Sequence, residues 1–524
     1  MSPIIFALMQ LLPVALCLST TQPTFTAAQL SHEVVTFDKR AAATSASPLN
    51  RQLLGLSIEF CWITGFLGDV NQENALSHRL LQNIQDLSGF PPRIRIGGDT
   101  QDVANYCDDC TQTLNNTFAS NSEIGLFANT EAANVTFNKN LFRVLNENVP
   151  SEQEYTFGLN FGENNLSNTL AEFKAVEQYM NLSRITAYEL GNEPDFYSAY
   201  RQFRPLSWDI FSYAQQTASF LTKITASLSK TEAKRFAGYM SASFANAPVD
   251  QGDFSISSLI KMGIKEVVSE IKIFSNHCYF GDVCTPADAA LVSLPVLLNH
   301  IHTFQMVQQY TSAISAAKSV GAQFFMGETN SAACHGLAGV SDTLGAALWM
   351  LDYSLTGATA GMDGLYFHNG VGFPYSVWQP LAVNGTAAHA SGLYYGFLLF
   401  ADLVSNLGRT PEIAPIPSLD ATDIAHYAVY SSSSNLQKLV ILNLDYINGT
   451  NPRTYKTFDV SAEFGKDFTV KRLSGSSSIA TQGLTWAGQT VDGNGHLSGA
   501  KVVEKVTNGV VSIGSSEAVI IERV

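Results

Sequence analysis

Two glutamates sit where a chain would not otherwise place an ionisable group. One stretch reads ELGNEPDFY, putting Glu193 directly after Asn192 and two residues after Gly191, with Pro194 closing the turn; another reads FFMGETNS, putting Glu328 directly after Gly327. Each follows an apolar run of strand length. Two carboxyl groups converging on one acetal carbon can hydrolyse a glycosidic bond, one protonating the leaving oxygen and the other attacking or stabilising the oxocarbenium-like centre. Their separation sets the stereochemistry: roughly 5 to 5.5 Å permits direct attack with retention, and ~6.5 to 9.5 Å admits a water and gives inversion. Asn192 is placed to donate an amide hydrogen bond to a sugar 2-hydroxyl, a contact that strengthens as positive charge develops.

Such a pair needs a scaffold that brings distant strand ends together. Strand-length apolar runs recur at 53–60 (LLGLSIEF), 93–98 (RIRIGG), 155–161, 185–191, 235–244, 271–280, 323–328 and 364–369. Between them lie segments with apolar residues at helical spacing, at 76–87, 170–180, 211–225 and 298–317. Buried strands alternating with amphipathic helices predict a parallel sheet, and eight units predict a closed (β/α)₈ TIM barrel, whose reactive groups cluster at the carboxyl ends of the strands. The fourth and seventh runs, which carry the two glutamates, then face each other across the mouth. From about Ala425 the pattern becomes alternating strands broken by Ser, Gly and Asn, which predicts an antiparallel β-sandwich domain. The expected organisation is a signal peptide at 1–22, an N-terminal strand and linker at 23–50 packing on the β-domain, the catalytic barrel at 51–408 and the β-sandwich at 409–524.

These segments together, ELGNEPDFY and GETNS with GLSIE on the first strand, RIGGDTQD on the second and SDTLGAALWMLDY after the seventh, resemble glycoside hydrolase family 79, especially its fungal β-glucuronidase-like members. The resemblance runs from about Glu33 to the C-terminus. It implies a retaining mechanism with Glu193 as acid/base and Glu328 as nucleophile, no cofactor and no metal. It also places an acidic residue that binds sugar hydroxyls at Glu59, which composition alone would equally allow as a salt-bridged rim glutamate. Asp99 and Asp102 follow the glycines of the second strand, Asp99 as a substrate contact and Asp102 as a structural group. In similar enzymes a tyrosine on the sixth strand hydrogen-bonds the nucleophile and keeps it ionised; His277 and Tyr279 end that strand here, and Tyr279 is the expected residue. Tyr375 and Trp378, in GFPYSVWQP, are expected as a wall or floor for the sugar ring.

One loop departs from the family. Relatives that bind a uronic acid show E-T-x-S-A-Y-G-G-G after the nucleophile, where this chain has ETNSAACHG: Ala333 replaces the tyrosine, and Cys334 and His335 stand where two glycines would be. Backbone amides around Gly336 survive substitution, and His335 can supply a donor or cation to a carboxylate.

Lys and Arg total 30 against 45 Asp and Glu, a net charge of −15 without a basic run, which disfavours binding to nucleic acid or to a sulfated polyanion. The apolar start, MSPIIFALMQLLPVALCLSTTQ, reads as a secretory leader, no later stretch is long enough to span a membrane, and extracellular secretion is expected. Six N-x-[ST] sequons, at Asn115, Asn134, Asn165, Asn181, Asn384 and Asn448, agree with that route. Once Cys17 leaves with the leader, six cysteines remain; Cys107 with Cys110 and Cys278 with Cys284 are local disulfide candidates, and Cys61 with Cys334 a long-range one. The leading expectation is an exo-acting retaining β-glucuronidase that trims glucuronate, 4-O-methylated or not, from extracellular glycans. The alternatives are an endo-β-glucuronidase, a retaining β-glycosidase of a neutral sugar and, outside enzymes, an inactive carbohydrate-binding protein. The oligomeric state is not readable from the sequence.

Overall fold

Side chains alternate across a strand, so every second residue of a closed parallel sheet points to the barrel axis. The computed structural model, which describes residues 32–34, 45–119, 123–124, 127–128, 131–247, 254–262, 264, 267–416, 420–431 and 435–523, shows how this chain uses that parity. Its barrel strands are β1 (Leu54–Glu59), β2 (Ile94–Gly97), β3 (Tyr155–Leu159), β4 (Ile185–Leu190), β5 (Tyr239–Phe244), β6 (Ile271–Tyr279), β7 (Gln323–Asn330) and β8 (Gly364–Asn369). They pair in parallel and close, β8 joining β1, as the eight apolar runs predicted. Ala187, Met240, Ile273, Phe325 and Tyr366 form an apolar layer inside the barrel. Two residues further along their strands come Glu189 and His368, so the interior changes from apolar to ionic within one step of the pleat.

Close approach fixes the upper layer. A β-carbon on Gly327 would lie 2.2 Å from the Ser275 hydroxyl and 2.3 Å from Met240 Cε, so only glycine lets β7 press against β6 and β5 just below Glu328. Gly98 has φ +83°, and a β-carbon there would strike the Glu59 carboxylate. Registers shift between Asn276 and His277 on β6 and between Met326 and Thr329 on β7, irregularities that re-aim the strand ends.

The second domain is a two-sheet sandwich. Strands β9 (Glu412–Pro415), β10 (Ile424–Tyr430), β11 (Leu436–Asn443), β13 (Phe468–Ser474) and β15 (Glu517–Arg523) belong to the larger sheet, with β12 (Tyr455–Asp459) and β14 (Val510–Gly514) in the smaller. The N-terminal segment reaches both: His32–Val34 pairs with β12 and Ser47–Pro48 with β9. On β10, Ile424, Ala428 and Tyr430 face the sandwich core while Ala425, Tyr427 and Val429 face the barrel. The helix Leu344–Ala360 lies between barrel and sandwich and is buried on nearly every side, which is why SDTLGAALWMLDY shows so little helical amphipathicity. The segment expected as one helix at 298–317 is two, His300–Gln308 and Thr311–Ser319. The leader expected at 1–22 lies outside the described residues. Among them, no helix is long and apolar enough to cross a membrane.

Two disulfide expectations are corrected. Cys107 pairs with Cys110 as expected, but Cys284 pairs with Cys334, leaving Cys61 and Cys278 as buried thiols. Cys278 is part of β6 and packs into the core, out of reach of a loop six residues later. Past the strand, Val283 N donates to Ala333 O and Ala333 N to Gly281 O, laying the loops after β6 and β7 side by side and bringing Cys284 to Cys334. Cys61 is held below the rim, its amide on the Thr100 hydroxyl.

His300 joins the domains. Its Nδ1 lies 2.8 Å from Asp352 of the buried helix and its Nε2 3.4 Å from Asp420 of the β-domain. Burial would lower its pKa, but the two carboxylates outweigh that and push it up to about 10 from 6.5. A raised folded-state value means the stabilisation is complete below about pH 6.5 and is lost as pH rises through about 10. The denaturation midpoint should therefore fall between neutral pH and pH 10, and His300→Gln should be less stable at pH 6 and lack most of that decline, as read by chemical unfolding at several pH values.

Candidate active site

Arg95, in the middle of β2 and 0% exposed, is the centre from which the site is built. Its Nε donates to Glu189 Oε2 at 2.6 Å, one Nη1 bond goes to Glu328 Oε2 at 2.7 Å and another to the Ser57 hydroxyl, and Nη2 donates to Asn192 Oδ1 at 2.7 Å. One guanidinium thus ties β1, β2, β4 and β7 together. Only the planar fork of arginine can serve four acceptors at once, and a buried guanidinium requires paired carboxylates to offset its lost hydration.

Glu328 is surrounded by groups that keep it ionised. Tyr279 donates to its Oε1 at 2.7 Å, as expected, and His368 Nδ1 lies 3.6 Å from its Oε2. Burial alone would raise its pKa, yet His368, His277, Arg95 and the Tyr279 hydrogen bond together carry it well below the usual carboxylate range. His277 is itself held down to about 4 by burial, so above that pH the cations that matter are Arg95 and His368. Burial would lower the pKa of His368, but the Glu328 charge and then Glu59, 3.1 Å from its Nε2, outweigh that and raise it.

Glu193 experiences the opposite environment. It takes a left-handed backbone conformation, φ +51°, with its amide on Ser243 O. Ala242 and Ser243 of β5 are left-handed as well, so the backbone on which Glu193 rests is strained in the same place. Its Oε1 is 3.0 Å from His277 Nδ1 and its Oε2 3.9 Å from Arg201 Nη2. Burial, then the charges of Asp99 and Glu328, raise its pKa well above the ordinary value; Arg201 only moderates this. Oxygens of Glu193 and Glu328 and a nitrogen of His277 all lie within 4.8 Å of one another. A cation placed among them would face Arg95, and both Glu328 oxygens already accept hydrogen bonds, so the trio is better suited to proton transfer than to metal binding.

The remaining expected residues divide into those that face the mouth and those that brace it. Glu59 accepts from the Thr100 amide and hydroxyl and meets His368, the bonding of a rim ion pair. Asn192 spends one amide N–H on Asp99 Oδ1 at 3.0 Å and keeps a second donor. Asp99 also binds Arg201. Asp102 accepts from the amides of Phe161, Gly162 and Asn192 and from the Tyr197 hydroxyl, so it holds the backbone in front of Glu193. Tyr375 stacks on Tyr279, the hydrogen-bond donor to Glu328, with ring centres 6.1 Å apart. Trp378, expected with it as a wall, is instead core: it is fully buried against Phe66 and Tyr394 with its indole N–H on Ser77, because the short strand that follows Tyr375 turns it toward the helix layer.

The divergent loop is held in an unusual conformation. Cys334, His335 and Gly336 have φ of +59°, +81° and +86° in succession. Glycines would adopt these at no steric cost; here a disulfide at Cys334 and side-chain contacts at His335 compensate. His335 stacks on Phe373 with centres 4.0 Å apart and sets its Nε2 2.9 Å from Glu131 Oε1. Burial, then the charge of His368, lowers its pKa to about 4, so this histidine acts as a neutral donor above that pH rather than as a cation. A β-carbon on Gly336 would lie 2.9 Å from the Tyr375 ring. Arg95, Glu189, His368, Arg201 and Glu131 were not singled out from the sequence; the available signal was an arginine between two isoleucines in RIRIGG and a histidine ending GLYFHN.

Residues 426–520 match the glycosyl hydrolase family 79 C-terminal beta domain. A β-glucuronidase of Neurospora crassa is 28% identical over 509 residues, covering 87% of each chain. One of Aspergillus niger is 28% identical over 514 residues, covering 91% of this chain and 90% of its own. Among solved structures, a 4-O-α-L-rhamnosyl-β-D-glucuronidase of Fusarium oxysporum matches with TM-score 0.75 at 26% identity, covering 91% of this chain and 98% of its own. A family 51 arabinofuranosidase of Xanthomonas axonopodis, at 11% identity and TM-score 0.61 over 91% of this chain and 97% of its own, shares the fold.

Opposite protonation of the two glutamates defines a pH window. Hydrolysis that uses Glu328 as the carboxylate and Glu193 as the proton donor would persist into acid and fail as pH rises through the elevated Glu193 value. Asp99 is the largest charge raising that value, and removing it also frees Arg201 to approach Glu193. In Asp99→Asn the alkaline limb of the kcat/KM profile should therefore move to lower pH; a limb that stays in place or moves up would contradict this electrostatic account.

Proposed function

We propose that this chain, a glycoside hydrolase resembling family 79, is a secreted exo-β-glucuronidase that acts with retention of configuration on terminal glucuronate of extracellular glycans. The observation that carries the mechanism is the approach of a Glu193 and a Glu328 oxygen to within 4.8 Å, which belongs with the short carboxyl spacing of retaining enzymes rather than the wider one of inverting enzymes. Glu328 attacks the anomeric carbon as a carboxylate while Glu193 delivers its proton to the departing oxygen, which yields a glycosyl-enzyme ester. Glu193, now ionised, takes a proton from the incoming water, which attacks the same carbon and expels Glu328. Arg95, His368 and Tyr279 receive the carboxylate back on departure, so their preorganised charge and hydrogen bonds serve both half-reactions.

The sugar assignment rests on the relatives, three of which are named as glucuronidases. Secretion draws support from the two disulfides and from the sequons, five of which, at Asn115, Asn165, Asn181, Asn384 and Asn448, are on exposed asparagines, while Asn134 is half-buried.

Three measurements check this reading. NMR of the first-formed product from a β-glucuronide should show the β-anomer, and Glu328→Gln should lose about 10⁴-fold or more in kcat as the nucleophile is removed; an α-anomer would require inversion and overturn the mechanism. Among p-nitrophenyl β-glucuronide, β-glucoside, β-galactoside and β-xyloside, the glucuronide should have the highest kcat/KM by about 100-fold, because a site that pairs a carboxylate leaves donors unsatisfied with a neutral sugar.

A further inference from the structure

The Glu131–His335 pair has no part in proton transfer, yet it spans the barrel mouth. Glu131 lies in the excursion between β2 and β3, and His335 in the loop after β7. The excursion is fastened over the first strand's end by Asn116 Nδ2, which donates to Cys61 O at 2.7 Å, and by the contact of Phe118 with Trp62. Its own three strands, Ala104–Tyr106, Leu114–Thr117 and Asn134–Phe137, form a small sheet that carries Glu131 outward.

Pyranose geometry says which side of the sugar meets this pair. The leaving group departs toward Glu193 at the end of β4. C4 is across the ring from C1, so the 4-hydroxyl points away from β4. In an eight-stranded closed barrel the strand facing β4 is β8, with β7 and β1 at its sides. His368 and Glu59 form that rim, and Glu131 joined to His335 stands with them. Neither partner swings freely: His335 is stacked on Phe373 and follows the disulfide-bound Cys334, while Glu131 also hydrogen-bonds Asp99 and is buried enough that its carboxyl is held well above the usual range.

We propose that the Glu131–His335 contact is a specificity-determining wall that closes the pocket beyond C4, so that the enzyme takes only a terminal sugar with a free 4-hydroxyl. This rests on the reading of Glu193 as the proton donor and deepens the exo assignment. It departs from the sequence expectation that 4-O-methylated glucuronate is also taken, and it predicts a difference from the Fusarium relative, whose name describes a glucuronidase acting on 4-O-rhamnosylated substrate.

The test compares p-nitrophenyl β-D-glucuronide with its 4-O-methyl ether on the full chain. The wild type should lose at least about 100-fold in kcat/KM on the ether, since a rigid wall rejects added bulk more strongly than a soft apolar pocket does. Glu131→Ala and His335→Ala should each narrow that ratio by about 10-fold or more, whereas Glu131→Gln, which retains an oxygen for the imidazole, should preserve it. Equal turnover of the two substrates by the wild type overturns the wall and leaves the glucuronidase reading intact. If a neutral p-nitrophenyl glycoside is the preferred substrate, the glucuronidase reading fails, and comparing that glycoside with its own 4-O-methyl ether tests the wall in the same way. The wild-type ratio decides the matter even if an alanine variant does not fold.

Discussion

A guanidinium buried at the axis of the barrel holds the rest in place. Arg95 cannot be solvated there, so its charge must be met by carboxylates, and the two that meet it, Glu189 and Glu328, come from two different strands, β4 and β7. This pairing satisfies folding and chemistry together. It makes the upper barrel layer ionic, aligns β4 with β7 and holds Glu328 as an anion. Asn192, bonded to the same guanidinium, brings the chain adjacent to Glu193 into the arrangement, so Glu193 and Glu328 are referred to one rigid group.

The two glutamates then differ through their surroundings. Glu328 faces Arg95, His368 and the Tyr279 hydroxyl; Glu193 faces a neutral His277 and the negative charges of Asp99 and Glu328. The pKa values of identical side chains are thus pushed in opposite directions in one cavity, the pattern by which paired carboxyl groups can take different roles. Strain concentrates in the same region. Left-handed residues occur at Ala242, Ser243, Glu193, Cys334 and His335, and each is held by hydrogen bonding, by packing or by a disulfide that would not be needed for an ordinary turn.

Residues missing from the sequence-based site have a common character. Arg95, Glu189 and His368 sit inside strands, where an isolated charge between apolar neighbours looks like a rim residue unless its facing partners are known. Arg201 and Glu131 lie on connections whose course over the mouth has no periodic signature. The disulfide error has the same source: Cys278 and Cys284 are close in sequence, but the strand that carries the first points it into the core, and the second meets Cys334 only because two loops run side by side. Trp378 reads as a sugar platform by its neighbours but is packed under the helices, since one short strand reverses its direction.

The order of elements, the closed barrel, the added sandwich and the placing of Glu193, Glu328, Asn192 and Tyr279 at strand ends around one mouth were legible in the chain alone, because periodicity, glycine before a terminal acid and strand-end position are local properties. The ion pairs that set the two protonation states, the pairing of Cys284 with Cys334 and the bridge from Glu131 to His335 belong to the folded molecule. Arg95 and Glu328 are 233 residues apart, Glu131 and His335 204, and Cys284 and Cys334 50. No local pattern encodes such a meeting; it exists only once the barrel closes and forces charges on different strands to neutralise one another.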